Sequence, residues 1–518
     1  MKLLENLTTD RRKVLAVALL ILATAAFLRF YNIGWSFSNN GVDEGIMLER
    51  ARMVSSGYDL YTELPCDQAP LAFLIGSVFE GDVVALRVLT AALSLVAIAA
   101  CMLASKKQMG NLAMIVTGIL LAVDFALLRE SRLFSLDGIS TAFLALSLPL
   151  FLHYLRHGSR IALVSAGLLV GLCTASKLFG GVALLGMLLF MLIEYWRSRD
   201  EKKKLRRTTT DLVVLTAATA LPIAVLLFFL GPSEMLDGMV FDQGHRAFDL
   251  AMKLSIPAFF GLNLAYAFPL LYARRMWAHS KEARLLLVLT VVLLADFIVQ
   301  PLVFLHHMVL MSPGLAILSG MFIADVYDTR KEALTQVDKL TMSKKMISGS
   351  RALKAVLLVG ILISAGIASY GLAAQGKPAQ LMYAEKIAEW TTPEDWIISG
   401  DPLITAYAER RTPPSMVNVG TRVYPGMNIT DVENAIVEYD VAVFVLSYRF
   451  AQPDMAFGLM LFMGTHGYVL VSLEFMGEWS RSAIEGDENV ETPLVLVRFD
   501  IMMAFDIPVE TPILIPHS

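Results

Sequence analysis

The chain is poor in charge, poor in cysteine and free of internal repeats. Only 17 % of its 518 residues are charged, whereas a soluble globular protein keeps about 25 %. That deficit excludes a single soluble enzyme, a disordered scaffold and a nucleic-acid binder. Three cysteines, Cys66, Cys101 and Cys173, cannot build a disulfide framework, and two of them lie in apolar runs. What is abundant is apolar surface: 56 % of the residues are hydrophobic and the mean hydropathy is +0.61. Runs of roughly 17–20 uncharged residues recur before residue 374, the mark of transmembrane helices. The sequence describes a polytopic α-helical protein of the lipid bilayer.

Eleven spans are expected, at 14–28, 83–104, 110–127, 136–153, 161–176, 178–196, 211–231, 256–272, 285–301, 308–325 and 355–373. No small-residue cleavage site follows Phe27-Leu28-Arg29-Phe30, so the first is read as a span and not as a signal peptide. Alternate loops are basic: Arg11-Arg12-Lys13, Lys106-Lys107, Arg156 with Arg160, Arg197 to Arg207, Arg274 to Arg284, and Arg330 to Lys354. With Lys2 these hold 26 of the 43 cations, all on one side if the spans number eleven. The positive-inside rule makes that side the cytoplasm. The expectation is a multi-pass protein of the plasma membrane with a cytoplasmic N-terminus and an extracytoplasmic C-terminus.

The outer segments are unequal. The first, 29–82, includes an amphipathic stretch from Glu44 to Met53, expected as a helix on the membrane surface. From 374 to 518 the composition becomes that of a soluble α/β domain. Helices are expected at Ala379–Trp390, Leu403–Glu409 and Asp431–Tyr439, and strands at Trp396–Ser399, Val441–Leu446, Tyr468–Phe475 and Leu494–Phe499. The domain division is therefore 1–373 for the catalytic membrane part and 374–518 for the tail, which holds no Gly-rich phosphate loop and no His or Cys cluster.

Residues capable of chemistry gather on the outer face. Asp43-Glu44 follows the first span, where one carboxylate suits a general base and its neighbour can orient a cation or a metal. Arg129-Glu130-Ser131-Arg132-Leu-Phe-Ser-Leu-Asp137 places arginines against the charge rule. They need either a structural partner or an anionic ligand, since guanidinium forks match phosphate. Lys177 closes Gly171-Leu-Cys-Thr-Ala-Ser-Lys177, and its ordinary reading is a snorkelling lysine. Gly167 and Gly171 form a GxxxG, which usually means close helix packing. His306-His307-Met-Val-Leu-Met-Ser-Pro313 stands at the mouth of the tenth span, with His245 a lesser candidate. Adjacent histidines on an α-helix point about 100° apart, which argues for a polar interface more than for a shared metal ion.

At these residues the chain resembles the GT-C membrane glycosyltransferases, in the protein O-mannosyltransferase and aminoarabinose-transferase-like branch. The likeness rests on the Asp-Glu pair in an outer loop with a surface helix, the Arg-x(4)-Asp of Arg132 and Asp137, and the Gly-Leu-x(4)-Lys ending at Lys177. The segment from His306 to Pro313 adds to it, and the whole covers most of 25–325. The 232–255 loop is too short for the sugar-binding domain of eukaryotic O-mannosyltransferases, so a Ser/Thr-protein acceptor does not carry over.

The resemblance implies an inverting enzyme that moves mannose, or a similar hexose or pentose, from a polyprenyl- or dolichyl-phosphate donor to a protein, glycan or lipid. On this reading Asp43 is the base and Glu44 positions Arg132 or a divalent metal ion. Arg132, Lys177 and Arg129 bind the donor phosphate, and Asp137, His306, His307 and His245 are substrate or metal contacts. Two other classes stand beside it: a transporter, and a non-catalytic assembly protein with an outer binding domain. A transporter would place its site near the midplane between repeated halves, and neither feature is present.

Overall fold

The computed structural model describes residues 10–35, 41–197, 202–241, 248–336, 344–373, 375–417, 427–447, 450, 453–471, 494–505 and 507. His245 lies outside them. The helices are α1 Arg11–Phe30, α2 Gly41–Ser55, α3 Leu71–Ser77, α4 Val83–Val123, α5 Phe125–Ser131 and α6 Leu136–His157. They continue as α7 Arg160–Ser176, α8 Gly180–Arg197, α9 Lys202–Leu230, α10 Ser255–Leu262, α11 Ala267–Leu271 and α12 Ala273–His279. Next come α13 Lys281–Val299, a 3₁₀ turn Leu305–Met311, α14 Ser312–Gln336 and α15 Lys344–Ala373. The tail contributes α16 Ala379–Trp390, α17 Pro402–Ala408, α18 Ile429–Glu438, α19 Pro453–Thr465 and α20 Phe499–Phe505, with four short strands.

Each expected span falls on helix, with two qualifications in its geometry. The spans 83–104 and 110–127 form one long α4 interrupted at Met109 and Gly110. Gly110 takes φ +78°, a left-handed conformation that side chains resist. The expected span 256–272 is not a straight helix: its chain bends by 92° around Asn263. Asp124 explains that bend. It caps α5 by accepting from Leu127 N at 3.2 Å, and its other oxygen accepts from Tyr266 Oη at 3.0 Å. Asn263 Nδ2 approaches the same carboxylate at 3.4 Å. Polar groups freed where a membrane helix breaks must be satisfied by neighbours.

Among the described residues six helices are long and apolar enough to cross a bilayer, or seven if the bent pair counts as one span. Arg160–Ser176 and Leu358–Ala373 are shorter apolar helices of the same kind. Large apolar side chains face outward, as on α9, where Phe228 is 82 % exposed and Phe229 76 %. Lipid is the solvent that tolerates such a face. This is a multi-pass membrane protein.

Chain contacts divide the molecule into two compact units. The first gathers Met1–Ile33, Arg87–Phe229 and Arg246–Ala374. Its core includes Leu148, Phe151, Leu163, Phe190, Leu286 and Phe322. Small residues let its helices approach closely: a methyl on Gly167 would sit 2.7 Å from Ala218 Cβ, and one on Gly171 would overlap Thr219 O. The GxxxG is thus the seam between α7 and α9.

The second unit gathers Gly34–Leu86, Leu230–His245 and Gln375–Ser518. In it, strands β1 Ile397–Ser399, β2 Val443–Leu446, β3 Tyr468–Leu470 and β4 Leu494–Arg498 form a sheet of order β1-β2-β4-β3. The β1–β2 pair is parallel, with Ile398 opposite Phe444, and the other pairs are antiparallel. Alternation along the strands covers both faces. Ile397, Val443, Val445 and Val497 pack on α16, while Ile398, Phe444 and Leu496 pack on α18 and α19. Helix α19 had no counterpart in the sequence reading.

The stretch Glu44 to Met53 is helical, as α2, but it is not a half-wet surface helix. Glu44, Ile46, Leu48, Glu49, Arg50, Ala51 and Met53 are all buried. Helix α3 packs on it and so does α17 of the tail, so charges expected to face water find partners inside.

Candidate active site

In the membrane unit, three loops bring polar side chains to one end of the bundle. Ser135 caps α6, accepting from Gly138 N at 3.3 Å, and donates its hydroxyl to the Glu130 carboxylate, which also pairs with Arg129. Gly138 is required at this crossing, because a methyl there would lie 2.5 Å from Glu130 O. Asp137 stands in the first turn of α6, and Lys177 ends α7. Lys177 Nζ donates to Asp137 Oδ2 at 2.5 Å, across 40 residues of sequence. His306 Nε2 lies 3.9 Å from the same oxygen.

Aromatic rings hold this group in place. Lys177 Nζ is 5.2 Å from the Phe179 ring centre, and His307 meets Phe179 edge to face at 4.9 Å. His306 stacks on Phe304, while His307 Nδ1 accepts from Phe304 N at 3.4 Å. The histidines sit on the 3₁₀ turn, not an α-helix, and donor atoms of Asp137, His306 and His307 all lie within 4.8 Å of one another. An Asp-His-His set is the chemistry of a divalent transition metal. Here, however, the ammonium of Lys177 already holds Asp137 Oδ2. The lysine occupies one oxygen of the carboxylate and neutralises its charge, which weakens this set as a divalent-cation site.

Arg132 has a different occupation from the one its motif suggests. It is buried, and its Nη1 donates to Leu28 O at 2.7 Å and Arg29 O at 3.1 Å, with Nη2 on Tyr31 O at 2.7 Å. These are the orphan carbonyls at the C-terminal end of α1, which favour a cation. Arg29 is buried too, donating to Ser94 Oγ at 3.0 Å and Leu121 O at 3.2 Å.

In the second unit, Asp43 and Glu44 occupy the first turn of α2, and they differ: Asp43 is exposed, Glu44 buried. Further along α2, Arg50 pairs with Asp67 at 3.3 Å and donates to Pro65 O at 3.0 Å. Glu49, which no motif flagged, is fully buried and accepts from Thr412 Oγ1 at 3.1 Å. Burial pushes its carboxyl up to about 7, against the opposing pull of the Arg52 charge.

The structure thus joins Asp137, Lys177, His306 and His307, sets Arg129 and Glu130 as a neighbouring pair, and turns Arg132 onto α1. Asp43 and Glu44 belong to the other unit.

Residues 73–235 match the family model described as dolichyl-phosphate-mannose-protein mannosyltransferase. Comparison with curated protein sequences yields no match. Among solved structures, the chain is similar to apo ArnT from Cupriavidus metallidurans, with 16 % identity, 94 % of this chain and 98 % of that one covered, and a TM-score of 0.60. The same protein bound to undecaprenyl phosphate aligns at 16 % identity over 93 % and 97 %, with a TM-score of 0.59. The oligosaccharyltransferase AglB from Archaeoglobus fulgidus, in complex with an inhibitory peptide and a dolichol-phosphate, aligns at 16 % identity over 89 % and 73 %, with a TM-score of 0.53. The likeness to these structures shows that the chain shares their membrane-protein fold, the GT-C fold, and residues 73–235 carry the match to the mannosyltransferase family model.

Proposed function

We propose that the enzyme transfers mannose, or a similar hexose or pentose, from a polyprenyl- or dolichyl-phosphate donor to a hydroxyl of a protein, glycan or lipid. The donor class is supported by the family description and by the lipid phosphates bound in ArnT and AglB. The observation that carries the proposal is the Lys177–Asp137 pair with Arg129–Glu130 beside it, buried at one end of the helical unit and lying within the matched residues. Ionisable residues retained inside a membrane helix bundle mark a functional site by default.

The catalytic route is an inverting single displacement. As the bond to the anomeric carbon breaks, negative charge collects on the departing lipid phosphate, and preplaced cations stabilise it. Lys177 and Arg129 supply them, and Asp137 and Glu130 hold them in position. Arg132 serves the same phosphate indirectly, by fixing the end of α1. His306 and His307 contact substrate. Asp43 accepts the proton of the attacking hydroxyl: it is the exposed member of its pair, within reach of an acceptor arriving from solvent, while Glu44 positions it. No step is assigned to a metal. The basic loops at the opposite end of the bundle support a cytoplasmic N-terminus, a transfer site on the extracytoplasmic face and residence in the plasma membrane.

The test is a deletion strain complemented with wild type or Asp43→Asn, reading the masses of cell-surface glycans, glycolipids and proteins. Deletion should remove one sugar from a product, wild type should restore it, and Asp43→Asn should fall about 10²–10⁴-fold short, the usual yield of a general base. Restored solute uptake with unchanged glycans would replace the enzyme by a transporter. Full activity in both Asp43→Asn and Glu44→Gln would end the catalytic reading of this pair.

A further inference from the structure

We propose that the tail domain is a positioning element of the transfer reaction, acting through a contact between α17 and Gly45, the residue next to Asp43-Glu44. The inference rests on the assignment of Asp43 to transfer made above.

The contact has no slack. A methyl built on Gly45 would overlap Leu403 N, lie 2.5 Å from the Pro402 carbonyl carbon and 2.8 Å from Leu403 Cα. Backbone therefore meets backbone, and no flexible side chain can yield. The surface that Gly45 meets is itself fixed by the sheet. Ser399 ends β1, and Gly400 N donates to Val445 O of β2 at 3.0 Å. Asp401 then caps α17, accepting from Leu403 N at 3.1 Å, while Gln380 Nε2 of α16 holds its other oxygen at 3.0 Å. A side-chain cap of this kind contributes about 1 kcal/mol to its helix. Strand, cap and helix thus deliver one rigid edge to the start of α2.

The rest of α2 is clasped from the same side. Glu49, about one turn beyond Gly45, reaches Thr412 at 3.1 Å, and Arg52 donates to Ala406 O at the end of α17, also at 3.1 Å. Tyr407 Oη donates to Gly34 O at 3.1 Å, and Gln375 Nε2 to Trp35 O at 2.9 Å, holding the chain that leads into α2. On the far side, Gly81 sits at φ +69°, where a methyl would lie 2.7 Å from Leu48 O. A general base must be held within a few tenths of an ångström of its line of attack, and displacement by about 1 Å can cost about 10²-fold in rate. The tail supplies that restraint without contributing a reacting group.

The full-length protein in native membranes tests this, with undecaprenyl phosphate as the binding probe and thermal unfolding as the control. Gly45→Ala should lower kcat by about 10²-fold while the donor KM stays within about twofold. Undecaprenyl phosphate should bind as in wild type. Glu49→Ala should cost roughly tenfold in kcat, and Glu49→Gln, which keeps the bond to Thr412, should recover most of that loss. Full transfer by a folded Gly45→Ala, with Asp43→Asn inactive, overturns the positioning role and leaves the catalytic assignment standing. If Gly45→Ala does not fold, the Glu49 pair decides: equal losses in Ala and Gln forms overturn the proposal. Near-normal turnover in Asp43→Asn and Glu44→Gln removes the catalytic assignment itself.

Discussion

The two ends of the helical unit both carry ion pairs, and they use them differently. At the basic end several cations are solvated: the Arg207 side chain is 64 % exposed beside Asp211 and Arg275 is 42 % exposed beside Asp325, although Arg284 is enclosed against Glu194. At the other end Lys177 is 12 % exposed and Asp137 10 %, and Arg129 and Glu130 are similarly enclosed. Exposed pairs contribute about 0–1 kcal/mol and are screened by salt. A buried pair loses hydration on both partners and persists where geometry and further hydrogen bonds offset that cost. On the proposed reading, the solvated end sets the orientation in the membrane and the enclosed end holds the donor phosphate.

Lys177→Met is the strongest way to break this contrast. It should lower transfer by about 10²–10³-fold, the range seen when one preplaced stabilising group is lost. Arg275→Ala, at the solvated end, should change the rate less than about twofold. Initial rates in membranes matched for protein content decide; equal losses would erase the distinction between the ends. Arg132→Met sharpens it from another direction. Its carbonyl partners on α1 would lose their donors, so stability should fall by about 1–3 kcal/mol, read as a lower unfolding temperature. A fully stable Arg132→Met that no longer binds undecaprenyl phosphate would instead put Arg132 on the donor.

Glu49 extends the comparison to a buried charge in the second unit, one of whose oxygens, Oε1, lacks a hydrogen-bond partner among the described residues. Its carboxyl titrates at about 7 when folded against 4.5 as a free side chain. Between those values the folded chain holds the extra proton, so stability should fall as pH rises from 4.5 to about 7 and stay level above. The full penalty is about 3 kcal/mol. Unfolding temperatures of wild type and Glu49→Gln should coincide below pH 4.5 and separate above it, with Gln the more stable. Parallel curves at every pH would mean that Glu49 is not confined as described.

Much of this was legible in the sequence because its cause is local. A membrane helix announces itself through uncharged length, and Ala379–Trp390 through its own periodicity. The features that escaped depend on distant partners. The bend at Asn263 exists because Asp124, 139 residues earlier, receives its side chain. The burial of Glu49 requires Thr412, 363 residues later. Spacing reveals residue type and not aim: the motif did not show that Arg132 meets the carbonyls ending α1, nor that Asp137 pairs with Lys177, 40 residues on. The histidine pair was discounted on α-helical geometry, and the chain adopts a 3₁₀ turn there.

The seam between α2 and α17 also governs when this protein can finish folding. Glu49 leaves the ribosome 363 residues before Thr412, which at 5–20 residues per second is roughly 20–70 s. Throughout that interval α2 is already made, lacking the α17 surface that packs on it and the Thr412 partner of Glu49 in the finished chain. A nascent chain halted before residue 400 would carry an α2 without its α17 partner. Such a species invites chaperone capture or proteolysis, and the last segment to be synthesised is the one that ends its exposure.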